Sequence, residues 1–487
     1  MNCIYHYKKQ NLLLGILTGL ILFTSCNLDE KFYSEVPSDN FFTSPKSAYE
    51  ILARPFTHWK WYIGADRWYQ QELTTDEMVC PQRGADWYNG GEYFRLHYHT
   101  WSAEDRFIVN TYNGWGQGIS KILAAREDLE DVDYKKIGLS DSVKADHLAQ
   151  LDALQAYFYL SGLDYFGGLP IYKRSDDPLK ARSTDKETFT YIEGLLKNSI
   201  PKLYPKKKLG QSEDGYIKQA AAAALLARLY FNAEAYVKEN HFAECATICQ
   251  DIINGKYGTY QLDSTWWNVP SEYVKMQWDW YFQYFYHMNS YKYFGSETKG
   301  YNGFMLSPSL NPQGENYNDK LGCPYSKFED TDLRKQPYEY EGNGKYTGMF
   351  LVGKQTSKYG SCIGQKEYKG QVITLVDQVA RFSEVGPGKK YASIDQLPST
   401  MADGEENSGI RLVKAPQPDE TDINLRYNPD CPVIRLTEIY YMLAECKLRA
   451  GDKQGAAKLI NQVRARNFKN GVDSNPVTAA NLDEFRM

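Results

Sequence analysis

Residues 217–236 read IKQAAAAALLARLYFNAEAY, and they are followed after a short polar break by Phe242 to Ile253 with Ala243, Ala246 and Ile252. Alanine and leucine favour helix, and a run of small residues lets a second helix approach closely. The stretch therefore predicts two antiparallel helices joined by a turn, about 34 residues in all. A second pair with the same layout runs from Leu436 to Ala450, turns at Gly451-Asp452, and continues from Gln454 to Arg466, with Ala444 where Ala227 stands in the first. Helices that bury small residues against one another twice in one chain imply a repeat frame rather than isolated bundles.

The spacing of these pairs resembles tetratricopeptide units. Working towards the N-terminus, Ser47 to Trp61, Gly118 to Asp131 and Val143 to Phe166 carry apolar residues at helical spacing, among them Ile119, Ile122, Leu148, Leu151, Leu154 and Phe158. Gly167-Gly168-Leu169-Pro170 ends the third of these. A further helix is expected from Asp185, as N-cap, towards Ile200 before Pro201. The fold class is mostly α: a tetratricopeptide-like frame over residues 46–262 and 432–487, carrying a loop-rich insert with short strands over 263–431. The insert is rich in Gly, Pro, Tyr, Ser and Asn, and loops of that length usually have a function.

The N-terminus reads as a secretory leader. Lys8 and Lys9 precede an apolar run from Leu12 to Phe23, and Thr24-Ser25-Cys26 follows. That run is shorter than the roughly 20 residues that span a bilayer. Cys26 directly after Ser resembles a bacterial lipoprotein junction, with residues 1–25 removed and Cys26 lipidated. Asn27-Leu28-Asp29-Glu30 resembles the surface-export signal of Bacteroidota lipoproteins, which puts the chain on the outer membrane, facing outwards. Residues 26–45 then act as a tether to one domain over 46–487.

Composition narrows the function. Without residues 1–25 the chain keeps 54 basic and 61 acidic residues, a net charge of -7, and no basic stripe that would hold a phosphate backbone. Its 40 tyrosines and 15% aromatic content exceed what a core needs and suit recognition of half-polar ligands. Beyond Cys3 and Cys26, seven cysteines are scattered with no CxxC pair, and Cys245 and Cys249 on one helix read as small buried apolar residues.

Six of the ten tryptophans fall between Trp59 and Trp115, around TTDEMVCPQRGADWYNGGEYFRLHYHTW from Thr74 to Trp101. Gly-Ala-Asp-Trp-Tyr-Asn-Gly-Gly suits neither a helix interior nor a buried strand, so the stretch reads as loops presenting rings. Sugar rings offer CH faces to flat aromatics while their hydroxyls need polar partners, and Arg83, Asp86, Trp87, Tyr88 and Asn89 supply both. A second candidate is Trp278 with Trp280, preceded by Trp266 and Trp267. Trp101 is a third, set beside Leu96 to His99, which read as a strand entering the core; Trp59, Trp61, Trp68 and Trp115 read as packing.

Chemistry finds less support. His97 and His99 would share a strand face as metal ligands do, but no third ligand stands at useful spacing. Asp319, Asp330 and Asp332 lack the spacing of a calcium loop and read as loop caps. Asp76, Glu77 and Asp86 lie among aromatics like the carboxylates of a glycoside hydrolase, yet carboxylates so close in sequence serve as readily in turns. No serine elbow, phosphate loop or dinucleotide fingerprint is present. No cofactor is expected.

Several blocks in order carry a family resemblance: Cys26 with Pro37-Ser-Asp-Asn-Phe-Phe-Thr43, Ala156 to Pro170, Ala221 to Asn232, Gly255-Lys-Tyr257, Ser408 to Lys414, and Arg435 to Arg466. Together they resemble the SusD/RagB family of glycan-binding surface lipoproteins. The resemblance implies a non-enzymatic protein that captures glycans and sits on a SusC-like TonB-dependent transporter. It also implies a further helix after the last repeat, whereas this sequence stops at Asp483-Glu-Phe-Arg-Met487, and without that helix the final repeat would expose apolar surface. A scaffold or transporter lid that binds only peptides or protein is the alternative, and a glycoside hydrolase the weaker third reading.

Overall fold

A computed structural model describes residues 41–207, 215–264, 305–308, 324–342, 345–357, 360–364, 366–393, 396–397, 400–412 and 433–482. The leader, Cys26 and most of the tether lie outside the described residues, as do Trp266, Trp267, Trp278, Trp280, Asp319, Cys323 and Cys431.

The helical frame follows chain order. Its long members are α1 (Pro45–Tyr62), α4 (Arg106–Glu130), α5 (Asp141–Phe166), α6 (Asp185–Ser199), α7 (Gln219–Phe231), α9 (Phe242–Ile253), α11 (Leu436–Arg449) and α12 (Lys453–Arg464); α2 (Ala65–Leu73), α3 (Glu92–His97) and α8 (Ala233–Val237) are short. α1 packs on α4, α4 on α5, α5 on α6, and α7 on both α6 and α9. α9 then meets α11, and α11 meets α12, so the two expected helix pairs stack on each other although the insert separates them in sequence.

Local chemistry sets the ends. Ser140 caps α5 by accepting from the Val143 amide, and Gly167, at φ +74°, closes it with its N–H on the Leu163 carbonyl. At α6 the N-cap is Thr184, one residue before the expected Asp185: Thr184 and Glu187 form a reciprocal capping box. The Asp185 carboxylate instead accepts from the Gly168 amide.

α5 and α7 are covered nearly all round, which explains why α7 is apolar on almost every face, while α5 buries Asp146, His147, Gln150, Asp152 and Gln155 among its apolar residues. The Ala220 to Ala224 run is at most 2% exposed, so the methyl side chains serve as the contact surface of a close helix crossing. Ion pairs tie the two repeat pairs together: Arg449 with Glu234, 3.0 Å apart, and a bidentate one. Arg228 of α7 donates through Nε and Nη2 to the two carboxylate oxygens of Glu438 in α11, 2.8 Å each. Cys245, Cys249 and Cys446 are buried where α9 meets α11, as small apolar groups.

The described part of the insert is built from pairs of very short antiparallel strands. β1 (Met78–Val79) pairs with β2 (Met305–Leu306), β3 (Glu339–Gly342) with β4 (Lys345–Thr347), and β5 (Phe350–Leu351) with β10 (Arg411–Leu412). β6 (Gly353–Lys354) pairs with β9 (Thr374–Leu375), and β7 (Thr356–Ser357) with β8 (Gly360–Ser361). The β1–β2 pair and the Ser307 amide on the Glu77 carbonyl join the insert to the segment before Cys80, and the Leu306 amide on the Ile410 carbonyl ties β2 to the far end of the insert. No helix among the described residues is long and apolar enough to cross a membrane.

Candidate functional site

The aromatic stretch contains more regular structure than its composition predicts. α2 and β1 precede the loop at 80–91, α3 follows it, and α4 begins at Arg106. Between β1 and α3 runs the loop from Cys80 to Gly91, and backbone bonds hold its first half. The Gln82 amide donates to the Met401 carbonyl, the Gly404 amide to the Gln82 carbonyl, and the Gly84 amide to the Gly404 carbonyl, all at 2.8–3.0 Å. Arg83 and Asp86 exchange both backbone bonds, at 2.9 and 2.8 Å, and close a tight turn. Beyond the turn the chain runs through left-handed conformations at Trp87 (φ +63°), Asn89 (+47°), Gly90 (+62°) and Gly91 (+78°). A bulky residue is rare there and costs on the order of 1–3 kcal/mol, so surrounding contacts must impose it.

Arg83 does not face a ligand, contrary to the sequence reading. It is 0% exposed, and its Nη1 donates to the carbonyls of Glu405 (2.6 Å) and Ser408 (2.8 Å). A guanidinium spread over buried carbonyls is an anchor: it fixes the 80–91 loop to the 404–408 segment more than 300 residues away.

The other four expected residues stay together at the surface. Trp87 is half-buried, its ring 6.4 Å from that of Tyr93, and it lies against the cluster of Tyr69, Leu73, Met78, Cys80, Tyr93, Leu96 and Phe107. Tyr88 is 46% exposed, with one edge on Phe94. Asn89 donates to the Tyr93 hydroxyl at 3.1 Å and to Glu92 at 3.3 Å. Asp86 pairs with Lys366 at 3.2 Å. Beneath them α3 is braced twice. Arg95 chelates Asp105 and donates to the Gly90 carbonyl, and Arg106 makes two bonds to Glu92. The Arg95 hydrogen bond holds the Asp105 carboxyl below the usual carboxylate range.

Trp101 is 41% exposed, but the expected strand beside it is absent: Glu92–His97 is helical, and the chain turns at His99, φ +55°. Consequently His97 and His99 share no strand face. His97 is half-buried, with desolvation lowering its pKa, while His99 Nε2 meets the Thr74 carbonyl at 2.9 Å. Trp59 and Trp115 are in the core, 1% and 3% exposed, and Trp61 is stacked under the Arg67 guanidinium, 4.5 Å away. Asp332 accepts from the Arg334 amide and chelates its guanidinium, acting as a loop cap, whereas Asp330 forms an ion pair with Lys335. No group of three metal-ligating side chains converges among the described residues. Asp76 and Glu77 are exposed.

Two insert segments, 366–370 and 401–408, form the seat of the 80–91 loop and were not foreseen. The Glu405 carboxylate accepts from the Ser383 amide at 3.0 Å, and Glu406 from the Tyr368 amide at 3.2 Å. Burial, with Glu406 and Glu405 nearby, pushes the Glu367 carboxyl up. Burial alone pushes Asp377 up to about 6. The sequence signal available was Gly404-Glu-Glu-Asn-Ser-Gly409, whose polar residues are all buried.

A profile of the SusD family matches residues 267–486, which include the second repeat pair. Over those residues the chain is similar to the SusD/RagB family. The starch-binding protein SusD of Bacteroides thetaiotaomicron is 25% identical over 186 residues, 38% of this chain. That match spans 31% of the curated relative's length. A SusD superfamily protein from Parabacteroides distasonis superposes with a TM-score of 0.60 at 16% identity, over 92% of this chain and 83% of the other. A SusD homolog from Bacteroides thetaiotaomicron gives 0.61 at 14%, over 93% and 84%. A laminarin-binding SusD-like protein gives 0.54 at 17%, over 91% and 88%. At such identities the likeness is one of fold, and it agrees with the helical frame that this chain builds from its repeat pairs.

Proposed function

We propose that this chain is a non-enzymatic surface lipoprotein, anchored through Cys26, that captures glycans at the 86–89 loop and passes them to a SusC-like TonB-dependent transporter. The observation that carries the reading is the loop itself: Trp87, on a left-handed backbone, and the exposed Tyr88 are displayed next to Asp86 and Asn89. Names of relatives support the ligand class, since one binds starch and another laminarin. Trp278, Trp280 and Trp101 remain proposed further platforms, the first two outside the described residues.

Magnitudes fit capture rather than tight binding. A sugar face covering about 50 Å² of a ring gains about 1 kcal/mol at ~25 cal/mol per Å², against several kcal/mol lost on association. A few platforms reach only micromolar to millimolar affinity, and a polymer spanning many anchored copies gains the rest by avidity.

Native gels cast with polysaccharide test the reading. Trp87→Ala and Tyr88→Ala should each lose retention, with melting temperatures within a few degrees of wild type. Trp87→Gly, which relaxes the left-handed backbone, should lose retention equally while keeping or raising stability. Retention unchanged in all three would remove the loop from the function. Binding to peptides and to no glycan would favour the scaffold reading, for which the cavity of about 590 Å³ lined by Arg228, Phe231, Asn232, Arg435 and Tyr441 is the place to look.

A further inference from the structure

The turn at 364–370 lies directly against the ligand loop. Lys366 Nζ is 3.2 Å from the Asp86 carboxylate, and a Cβ placed on Gly84 would stand 2.5 Å from Glu367 Oε1, so the two segments touch at adjacent positions. Stability gives no reason for the Lys366–Asp86 pair. Both side chains are largely in water, 52% and 41% exposed, where an ion pair adds little. Nor is it needed to hold the loop, which is already fixed by the backbone bonds to 401–404 and by the buried Arg83. The pair instead stands at the lip, one residue before Trp87 and two before the exposed Tyr88.

Such a pair offers an acceptor and a donor a few ångströms apart, which is the spacing of neighbouring hydroxyls on a sugar ring. We infer that Lys366, with Asp86, is a ligand-contacting residue that reads a vicinal diol of a neutral glycan whose ring face lies on Trp87 or Tyr88. Asp86 accepts from one hydroxyl while Lys366 donates to the next. The carboxylate beside the ammonium disfavours uronate, so the ligand class is neutral sugar rather than acidic. This assignment rests on the glycan reading above.

The test uses the full mature chain in native gels containing amylopectin, laminarin, xylan, galactomannan or polygalacturonate, followed by titration calorimetry with an oligosaccharide of whichever is retained. Lys366→Met should weaken binding about tenfold with an unchanged melting temperature. The loss should persist in an Asp86→Asn background, because the contact with ligand is direct. Wild-type affinity in Lys366→Met overturns the assignment. So does a loss that vanishes in the Asp86→Asn background, which would make Lys366 a prop for the loop, and so does selective retention by polygalacturonate that fades with salt. Wild-type protein retained by no polysaccharide would instead sink the glycan reading itself, and the assignment with it.

Discussion

Trp87 and Asp377 show how single residues near the loop carry opposite kinds of cost. At Trp87 the cost is backbone strain in a residue whose ring is kept half in water, an arrangement that stability alone does not select. At Asp377 the cost is electrostatic. Its carboxyl is largely buried, Oδ1 has no hydrogen-bond partner among the described residues, and burial pushes the pKa from 3.8 to about 6. A raised carboxyl pKa means that the fold favours the protonated form. The penalty is therefore absent below the unfolded value near 4, grows as pH rises, and is fully present above about 6, where two units correspond to about 3 kcal/mol at most. Asp377→Asn should accordingly raise the melting temperature by a few degrees at pH 7.5 and leave it nearly unchanged at pH 4. An equal shift at both values would show that the carboxyl is not the source of the cost.

Elements of the frame were legible where their signals are local. Helices α5 and α9 stand within about two residues of where periodicity and terminal glycines put them. α7 ends at Phe231, five residues before the expected Tyr236, with the short α8 taking up the rest, and the miss at Thr184 against Asp185 is a choice between two adjacent capping residues. Helix α3 was hidden because it starts after two left-handed glycines and covers only six residues, too few to display a period. Close helix contact also fixes the sign of a common stabilising change. In α4 a Cβ on Gly118 would fall 2.3 Å from the buried ring of Phe158, whereas on α6 a Cβ on Gly194 meets nothing within 4 Å. Gly→Ala normally gains up to about 1 kcal/mol in a helix. Gly194→Ala should gain about that much, while Gly118→Ala should lose about 1–3 kcal/mol to overpacking, both read from urea unfolding. The same sign at both sites would mean that the α4–α5 contact is looser than the structure has it.

For the whole molecule the dividing line runs between the helical frame and the seat of the ligand loop. The frame stacks helix on helix mostly between elements near in sequence, with the α1–α4 and α9–α11 junctions spanning longer stretches. The seat joins Arg83 to residues 405 and 408 through contacts that no local pattern announces, which is why Arg83 read as a ligand residue and Lys366 was not read at all. Its main fastening is a side chain: the Arg83 guanidinium on two buried carbonyls. Arg83→Met leaves the Glu405 and Ser408 carbonyls without that donor and removes hydrogen bonds worth about 1.5–3 kcal/mol each when charged. The frame should not feel the change, because its core lies in a separate cluster from the residues under Trp87. Arg83→Met should therefore lose glycan retention and become sensitive to limited proteolysis within 401–408, while the helical circular-dichroism transition keeps its midpoint. A single cooperative transition moved to lower urea for every probe would show instead that seat and frame unfold as one unit, with Arg83 holding both.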